Sequence, residues 1–145
     1  MFLVFHVMCK KYFMKNYVMG MLLMSVLLAF TPSRRTMNYS IDDVVLAVKT
    51  GNATQLSRYF DDRLDLTIPG RSDNYSKVQA EMILKDFFRN VQVRDFVVKH
   101  RGMNEGAEFC FGDLLTSNGS FRVMLYMKQK GERQVLQEIG VDKTD

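Results

Sequence analysis

The strongest constraint on the fold is a change in the spacing of apolar residues near residue 93. Beyond that point apolar and polar residues alternate, which is the spacing of half-buried β-strands. Four such runs lie at about 94–101, 107–116, 120–129 and 133–141. Asn118-Gly119 is a strong signal for a two-residue hairpin turn, and Lys130-Gly131 is a weaker one. The sequence therefore predicts a meander of four antiparallel strands.

A long amphipathic helix is predicted immediately before the meander. Ser76 and Gln79 have the spacing of a capping box, which pairs the first free N–H groups of a helix with side chains. The apolar residues after this box all fall on one helical face. They are Ala80, Ile83, Leu84, Phe87, Phe88 and Val91. Asn90 is a plausible terminator of this helix.

Two shorter helices and one strand are predicted upstream. Ser40 and Asn52 suit the N-cap position, and Gly51 suits the left-handed end of the first helix. Residues 63–68 alternate between polar and apolar, and Pro69-Gly70 ends that strand. Together the elements predict an α+β fold, with helices packed on one face of a curved antiparallel sheet.

The N-terminal segment has the composition of an export signal. No charged residue lies between Asn16 and Ser33, the run Tyr17–Phe30 is almost wholly apolar, and lysines precede it. The run is short for a membrane span, which needs about 20 apolar residues. Residues 1–36 are therefore predicted to be a hydrophobic leader helix that acts as a signal peptide or N-terminal anchor, with residues 1–13 as a candidate upstream extension. The expected location is periplasmic or extracellular, with membrane attachment only through an uncleaved leader.

The charge of residues 37–145 argues against nucleic-acid binding. The whole chain has a net charge of +4, from 20 basic and 16 acidic residues. Five of the basic residues and none of the acidic ones precede residue 37, so the body has 15 basic and 16 acidic groups and a net charge of −1. A nucleic-acid-binding domain usually has a basic surplus that neutralises phosphates. Residues 37–145 are interpreted as a single α+β domain.

The body contains few candidate metal ligands. Cys110 is its one cysteine and His100 its one histidine, so a typical zinc site is not expected and no cofactor is predicted. Cys110 is interpreted as a small buried hydrophobic residue. Asp61, Asp62 and Asp65 lack the further spaced oxygen ligands of a calcium loop and are interpreted as a solvated acidic corner.

Three segments resemble a known family. They are residues 49–61 (KTGNATQLSRYFD), residues 75–88 (YSKVQAEMILKDFF) and residues 100–102 (HRG). Together with the element order over residues 38–142, they resemble small exported bacterial domains of unknown function in the nuclear-transport-factor-two-like (cystatin-like) superfamily. The resemblance implies a cone of sheet and helices around a pocket. It implies little about activity, because that superfamily includes isomerases, dehydratases, binding domains and inactive scaffolds.

Tight hairpin turns would place a candidate pocket on one sheet face. With turns at Met103-Asn104, Asn118-Gly119 and Lys130-Gly131, that face carries aromatic surface and a few polar groups, as small-ligand pockets do. The candidate pocket residues are Phe96, His100, Phe111, Asp113, Tyr126 and Gln137. The opposite face is also apolar, so the helices would cover one face and a second subunit the other. A single bulge would exchange these assignments.

The same register separates the two most reactive candidates. Phe111 lies opposite Tyr126 and Asp113 lies opposite Arg94, which places Asp113 about 20 Å from His100 along the strands. That distance is too long for a catalytic pair. Asp113 is therefore interpreted as a partner for Arg94, His100 as a structural or surface histidine, and no catalytic residue is assigned.

The leading functional hypothesis is a non-enzymatic exported module that binds a small apolar ligand, a peptide or a second copy of itself. One alternative is an isomerase- or dehydratase-like enzyme that uses His100, Asp113 or Glu138 as a general base. Another is a structural dimerising domain whose cavity is filled by its own side chains. A polar cavity around His100 would favour the enzyme. A filled cone would favour the structural domain.

Overall fold

The structure is a computed structural model that describes residues 39–144. The leader predicted for residues 1–36 lies outside this range. Three α-helices are present in residues 39–144: α1 (Ile41–Lys49), α2 (Ala53–Leu56) and α3 (Lys77–Val91), and a 3₁₀ turn (Ser57–Tyr59) follows α2. None of these helices is long and apolar enough to cross a membrane.

The predicted helix caps are confirmed. The Asn52 side chain accepts a hydrogen bond from the Gln55 N–H at 2.9 Å at the start of α2. Ser76 and Gln79 form the capping box of α3, as predicted, but the helix continues past the predicted terminator Asn90 to Val91 and is followed by Gln92 in the left-handed conformation. Each cap satisfies N–H or C=O groups that a helix end would otherwise leave unpaired.

The described residues form one sheet of six strands. The strands are β1 (Phe60–Ile68), β2 (Arg71–Ser76), β3 (Val93–Asn104), β4 (Ala107–Thr116), β5 (Gly119–Lys130) and β6 (Arg133–Lys143). Their spatial order is β2-β1-β6-β5-β4-β3, and every neighbouring pair is antiparallel except β1–β6, which is parallel. The predicted α+β fold with helices on a curved antiparallel sheet is confirmed, with this one parallel pair added.

The sequence did not reveal strand β2. Its residues, Arg-Ser-Asp-Asn-Tyr-Ser, are mostly exposed and show no apolar alternation. The Pro69-Gly70 turn returns the chain alongside β1, and Ile68 pairs with Arg71 directly across that turn. Backbone pairing to β1 therefore makes this segment a strand, although its side chains give no strand pattern.

The helices pack on one face of the sheet, here called the inner face. Its strand side chains include Leu66, Leu125 and Ile139, which join Leu84 and Phe88 of α3 in one core cluster. Each of these five side chains is at most 6% exposed. These side chains fill the space where the sheet and α3 meet, so this part of the core is closely packed.

The predicted strand registers are wrong by small displacements. The β4–β5 turn consists of Ser117 and Asn118, so Phe111 pairs with Met124 and not with Tyr126. The β3–β4 turn lies two residues later than predicted, at residues 105–106, and the β5–β6 turn lies one residue later than predicted, at residues 131–132. Between β4 and β5 each residue's partner changes by two positions, so every side chain stays on its predicted face. The displacement between β3 and β4 comes with a bulge at Lys99, which moves the residues before the bulge to the opposite face of the sheet.

Candidate functional site

The six candidate pocket residues do not meet in one cavity. His100, Phe111, Asp113 and Tyr126 lie on the face of the sheet away from the helices, here called the outer face. Phe96 is 3% exposed and lies on the inner face, because the register shifts between Val98 and His100 and leaves Lys99 unpaired. This bulge separates Phe96 from the other candidates on β3.

Gln137 is displaced by a second bulge. Met127 pairs with Leu136 and Tyr126 pairs with Glu138, so Gln137 has no partner on β5. Its Nε2 donates a hydrogen bond to Asp61 Oδ2 at 3.2 Å. Gln137 therefore supports the β1–β6 side of the sheet, and Glu138 takes the outer-face position beside Tyr126.

A cluster of half-buried aromatic residues and Met124, with the exposed His100 at its edge, lies at the centre of the outer face. The rings of His100 and Phe109 are 5.9 Å apart, and those of Phe109 and Phe111 are also 5.9 Å apart in a T-shaped arrangement. Met124 pairs with Phe111, and Tyr126 pairs with Phe109. We call His100, Phe109, Phe111, Met124 and Tyr126 the outer cluster. Phe109 and Met124 were not among the predicted site residues, although both follow the alternation of the strands.

The segment His100-Arg101-Gly102 has a structural role at each position. His100 packs beside Phe109 on the outer face. Arg101 points to the inner side and forms an ion pair with Asp42 at the start of α1. A Cβ at Gly102 would overlap the ring of Phe109, so the lack of a side chain there makes room for that ring.

The charged residues around the outer cluster are paired differently from the prediction. Asp113 does not face Arg94: it pairs in register with Val97 and Arg122, and its Oδ2 lies 3.5 Å from Lys99 Nζ. The Nε of Arg94 instead donates to the hydroxyl of Ser117 at 3.1 Å. The later β3–β4 turn is the main cause, because by itself it would move the partner of Asp113 from Arg94 to Val98, and the bulge at Lys99 then changes it by one residue to Val97.

The predicted distance between His100 and Asp113 is also wrong. His100 pairs with Phe111, two residues from Asp113, which corresponds to a diagonal spacing of about 7 Å instead of 20 Å. Asp113 nevertheless contacts Lys99, and the imidazole makes no hydrogen bond with any residue in 39–144. His100 and Asp113 therefore lie on the same face of the sheet but are not hydrogen-bonded to each other.

The acidic corner is solvated at Asp62 and Asp65, as predicted, whereas Asp61 is mostly buried in an ion pair. Lys130 forms ion pairs with both Asp61 and Asp62, and Asp61 is only 14% exposed. The Lys130 hydrogen bond lowers the pKa of the Asp61 carboxyl below its ordinary value. Asp65 lies apart and accepts a hydrogen bond from Asn74. Within residues 39–144 no group of three or more His, Cys, Asp or Glu side chains is arranged to hold a metal ion.

Cys110 is fully buried, as predicted. Its burial on the inner face raises the pKa of the thiol, and the nearby Arg101 guanidinium only partly opposes this. A thiol must ionise to act as a nucleophile, so these surroundings make Cys110 unreactive.

Comparison with protein families establishes the relationships of the chain. A family model described as a domain of unknown function (DUF4783) matches residues 41–142. The chain belongs to this family. A crystal structure of a DUF4783 family protein from Bacteroides uniformis is 36% identical, with a TM-score of 0.71. The match covers 74% of this chain and 99% of the Bacteroides uniformis chain.

More distant structures share only the fold with this DUF4783 protein. An NTF2-like protein of unknown function from Cytophaga hutchinsonii is 8% identical, with a TM-score of 0.56 and coverage of 76% of this chain and 94% of that one. An uncharacterized cystatin fold protein from Novosphingobium aromaticivorans is 12% identical, with a TM-score of 0.54 and coverage of 71% and 94%. These neighbours show that the domain has the fold of NTF2-like and cystatin-fold proteins. No curated protein matches the chain.

Proposed function

We propose that this DUF4783 domain is an exported, non-enzymatic interaction module whose outer sheet face binds a second copy of the chain. One observation carries the proposal: the outer cluster is apolar, and no helix of residues 39–144 covers it. Aromatic residues and Met are enriched at protein interfaces. A second copy would remove this surface from water and leave the packed inner face unchanged.

The arrangement of the cluster is complementary to itself. Two sheets can pack face to face with nearly aligned strands. If the two-fold axis runs parallel to the strands between β4 and β5, Met124 faces Phe111 of the second copy and Tyr126 faces its Phe109. Each contact then occurs twice, as two-fold symmetry requires. In this arrangement, apolar side chains of one copy contact apolar side chains of the other along the centre of the interface.

The charges at the edge of the cluster match under the same symmetry. Arg122 on β5 and Asp113 on β4 are partners in the register of one chain, so they lie at the same height along the strands. Rotation about the proposed axis places Arg122 of one copy opposite Asp113 of the other. His100 on β3 then faces Gly140 on β6, where the lack of a side chain leaves space for the imidazole.

The packed interior supports a binding or structural role over an enzyme. Leu84 and Leu125 fill the cone with no exposed area, and His100 lies outside the cone on the open face. The enzymatic alternative needs a general base within a substrate cavity. No observation on residues 39–144 favours that alternative, and the structural dimer is a special case of the proposal. Export rests on the composition of residues 1–36, and cell fractionation with an antibody against the body would test it.

A pair of charge reversals tests the interface. Arg122→Asp and Asp113→Arg, each made in residues 37–145, place like charges opposite each other in a homodimer. Each should raise the dimer dissociation constant at least about a hundredfold, because juxtaposed like charges cost several kcal/mol. An equimolar mixture should form a heterodimer, because both of its contacts join opposite charges.

Sedimentation velocity would measure both single variants and their mixture. Lys85→Glu on α3, which is exposed and far from the outer face, serves as the control and should sediment as the unmodified domain does. Continued dimerisation of both single variants, or a mixture that stays monomeric, would exclude this interface.

A further inference from the structure

A second concave surface lies away from the outer face, between the β1–β2 turn and α3. This groove has a volume of about 590 Å³. Its lining consists of Ile68, Pro69, Gly70 and Arg71 from the turn and Met82, Ile83, Asp86, Phe87 and Asn90 from α3. The volume falls in the range of about 300–1,000 Å³ that is usual for small-ligand sites.

Three apolar side chains contribute part of the groove surface, which also has polar groups. Ile68, Ile83 and Phe87 are partly buried and pack against the core, so each presents the rest of its apolar surface to the groove. Met82 stands at the rim and is 63% exposed. An unbranched apolar chain would contact these side chains and remove their remaining surface from water.

One acidic residue, Asp86, and one basic residue, Arg71, line the groove. Asp86 on the α3 wall is neutralised by Arg89, at 2.6 Å. Arg71 on the opposite wall makes no ion pair or side-chain hydrogen bond with any other residue in 39–144. Arg71 therefore lies beside the apolar side chains of the groove, and a ligand with a single negative group attached to an apolar part would contact both.

The β1–β2 turn fixes the relative positions of the charge and the apolar surface. Ile68 and Arg71 are cross-strand partners, so their side chains lie side by side on the same face of the sheet. Pro69 between them restricts the backbone, and Gly70 takes a φ of +79°, as the third position of a type II turn requires. The backbone of this turn is therefore already ordered before a ligand binds, which lowers the entropy cost of binding.

We propose that this groove binds a small aliphatic carboxylate. The carboxylate accepts paired hydrogen bonds from the Arg71 guanidinium, which matches its geometry. The hydrocarbon chain extends over Ile68 and Phe87 towards Met82. This site is separate from the outer face and does not depend on the dimer proposed above.

Octanoate is the probe, and its neutral counterpart octanamide is the matched control ligand. Both would be titrated into ¹⁵N-labelled residues 37–145 and followed by NMR. Octanoate should shift the amides of residues 68–71 and 82–90 with a saturating curve. Octanamide should bind at least about tenfold more weakly, because hydrogen bonds to a charged group are worth about 1.5–3 kcal/mol.

Two arginine variants complete the test. Arg71→Gln should weaken octanoate binding by at least about the same factor and leave octanamide binding unchanged. Arg133→Gln, at an exposed position in the β5–β6 turn region, should leave both unchanged. Three results would overturn the proposal: equal binding of the two ligands, unchanged octanoate binding by the Arg71 variant, or the lack of a saturable shift at residues 68–71. None of these results would alter the sedimentation behaviour predicted for the outer face.

Discussion

The ring of Phe109 occupies the space that a side chain at Gly102 would fill on the outer face. Gly102 and Phe109 are cross-strand partners on β3 and β4, so the ring lies across the neighbouring strand instead of pointing to solvent. Gly112 and Phe96 form a comparable pair on the inner face, where a Cβ would lie 2.6 Å from both the Phe96 ring and the Val97 carbonyl oxygen. Each glycine lets an aromatic ring cover the adjacent strand.

Alanine at these two glycines should have unequal effects on stability. Gly112→Ala should lower the free energy of unfolding by about 2–3 kcal/mol, because a buried ring and a backbone oxygen cannot easily move. Gly102→Ala should cost about 1 kcal/mol, since the half-exposed Phe109 ring can rotate away. Urea denaturation followed by circular dichroism measures both. A larger loss for Gly102→Ala would contradict this account of the two faces.

Local signals in the sequence predicted most of the elements. The capping box of Ser76 and Gln79 and the cap at Asn52 depend on residues three apart, so they could be recognised without tertiary information. The alternation after residue 93 likewise identified all four strands of the meander. Strand β2 lacks such a signal, because its pairing to β1 supplies the only reason for its conformation.

The candidate site was harder to predict because it depends on two bulges and on the positions of the three hairpin turns. The apolar alternation of β3 and β6 fits these strands with or without an extra residue at Lys99 or Gln137, so the sequence pattern does not reveal the bulges. Each bulge nevertheless moves every residue beyond it to the opposite face of the sheet. Turn β4–β5 closes one residue earlier than Asn118-Gly119 suggests, because the Thr116 hydroxyl donates to the Gly119 carbonyl and accepts from the Asn118 N–H. These contacts exist only once the strands have met.

The Asp61–Lys130 ion pair should make stability depend on pH. The pKa of Asp61 is lowered in the folded state, chiefly by the Lys130 hydrogen bond, so its contribution is present above the ordinary value of 3.8 and is lost as pH falls through the lowered pKa. Asp61→Asn should therefore reduce the free energy of unfolding at pH 7, and the difference from the unmodified domain should shrink below pH 3.8.

The neighbouring aspartate is the matched control for this experiment. Asp62 also pairs with Lys130, at 3.1 Å, but its side chain is 90% exposed and screened by water. Asp62→Asn should change stability at pH 7 much less than Asp61→Asn. Urea midpoints at pH 7 and pH 3 would measure both variants, and a pH-independent effect of Asp61→Asn would argue against the ion pair.

Cys110 should react with thiol reagents only after unfolding. Residues 37–145 contain this one cysteine, and its burial raises the pKa of the thiol. Alkylation with iodoacetamide at pH 8 should be at least about a thousandfold slower in buffer than in denaturing urea, because folded proteins open only rarely. Mass spectrometry of quenched samples gives both rates. Similar rates would show that the inner face is open near Cys110.

The association state of residues 37–145 tests the central claim most directly. Sedimentation equilibrium at high micromolar concentration should give twice the mass of one chain for the unmodified domain. Phe111→Ser, which removes a ring from the centre of the outer cluster, should give the mass of one chain with an unchanged circular dichroism spectrum. A monomeric unmodified domain, or a Phe111→Ser variant that remains fully dimeric, would contradict the assignment of the outer face as the binding surface.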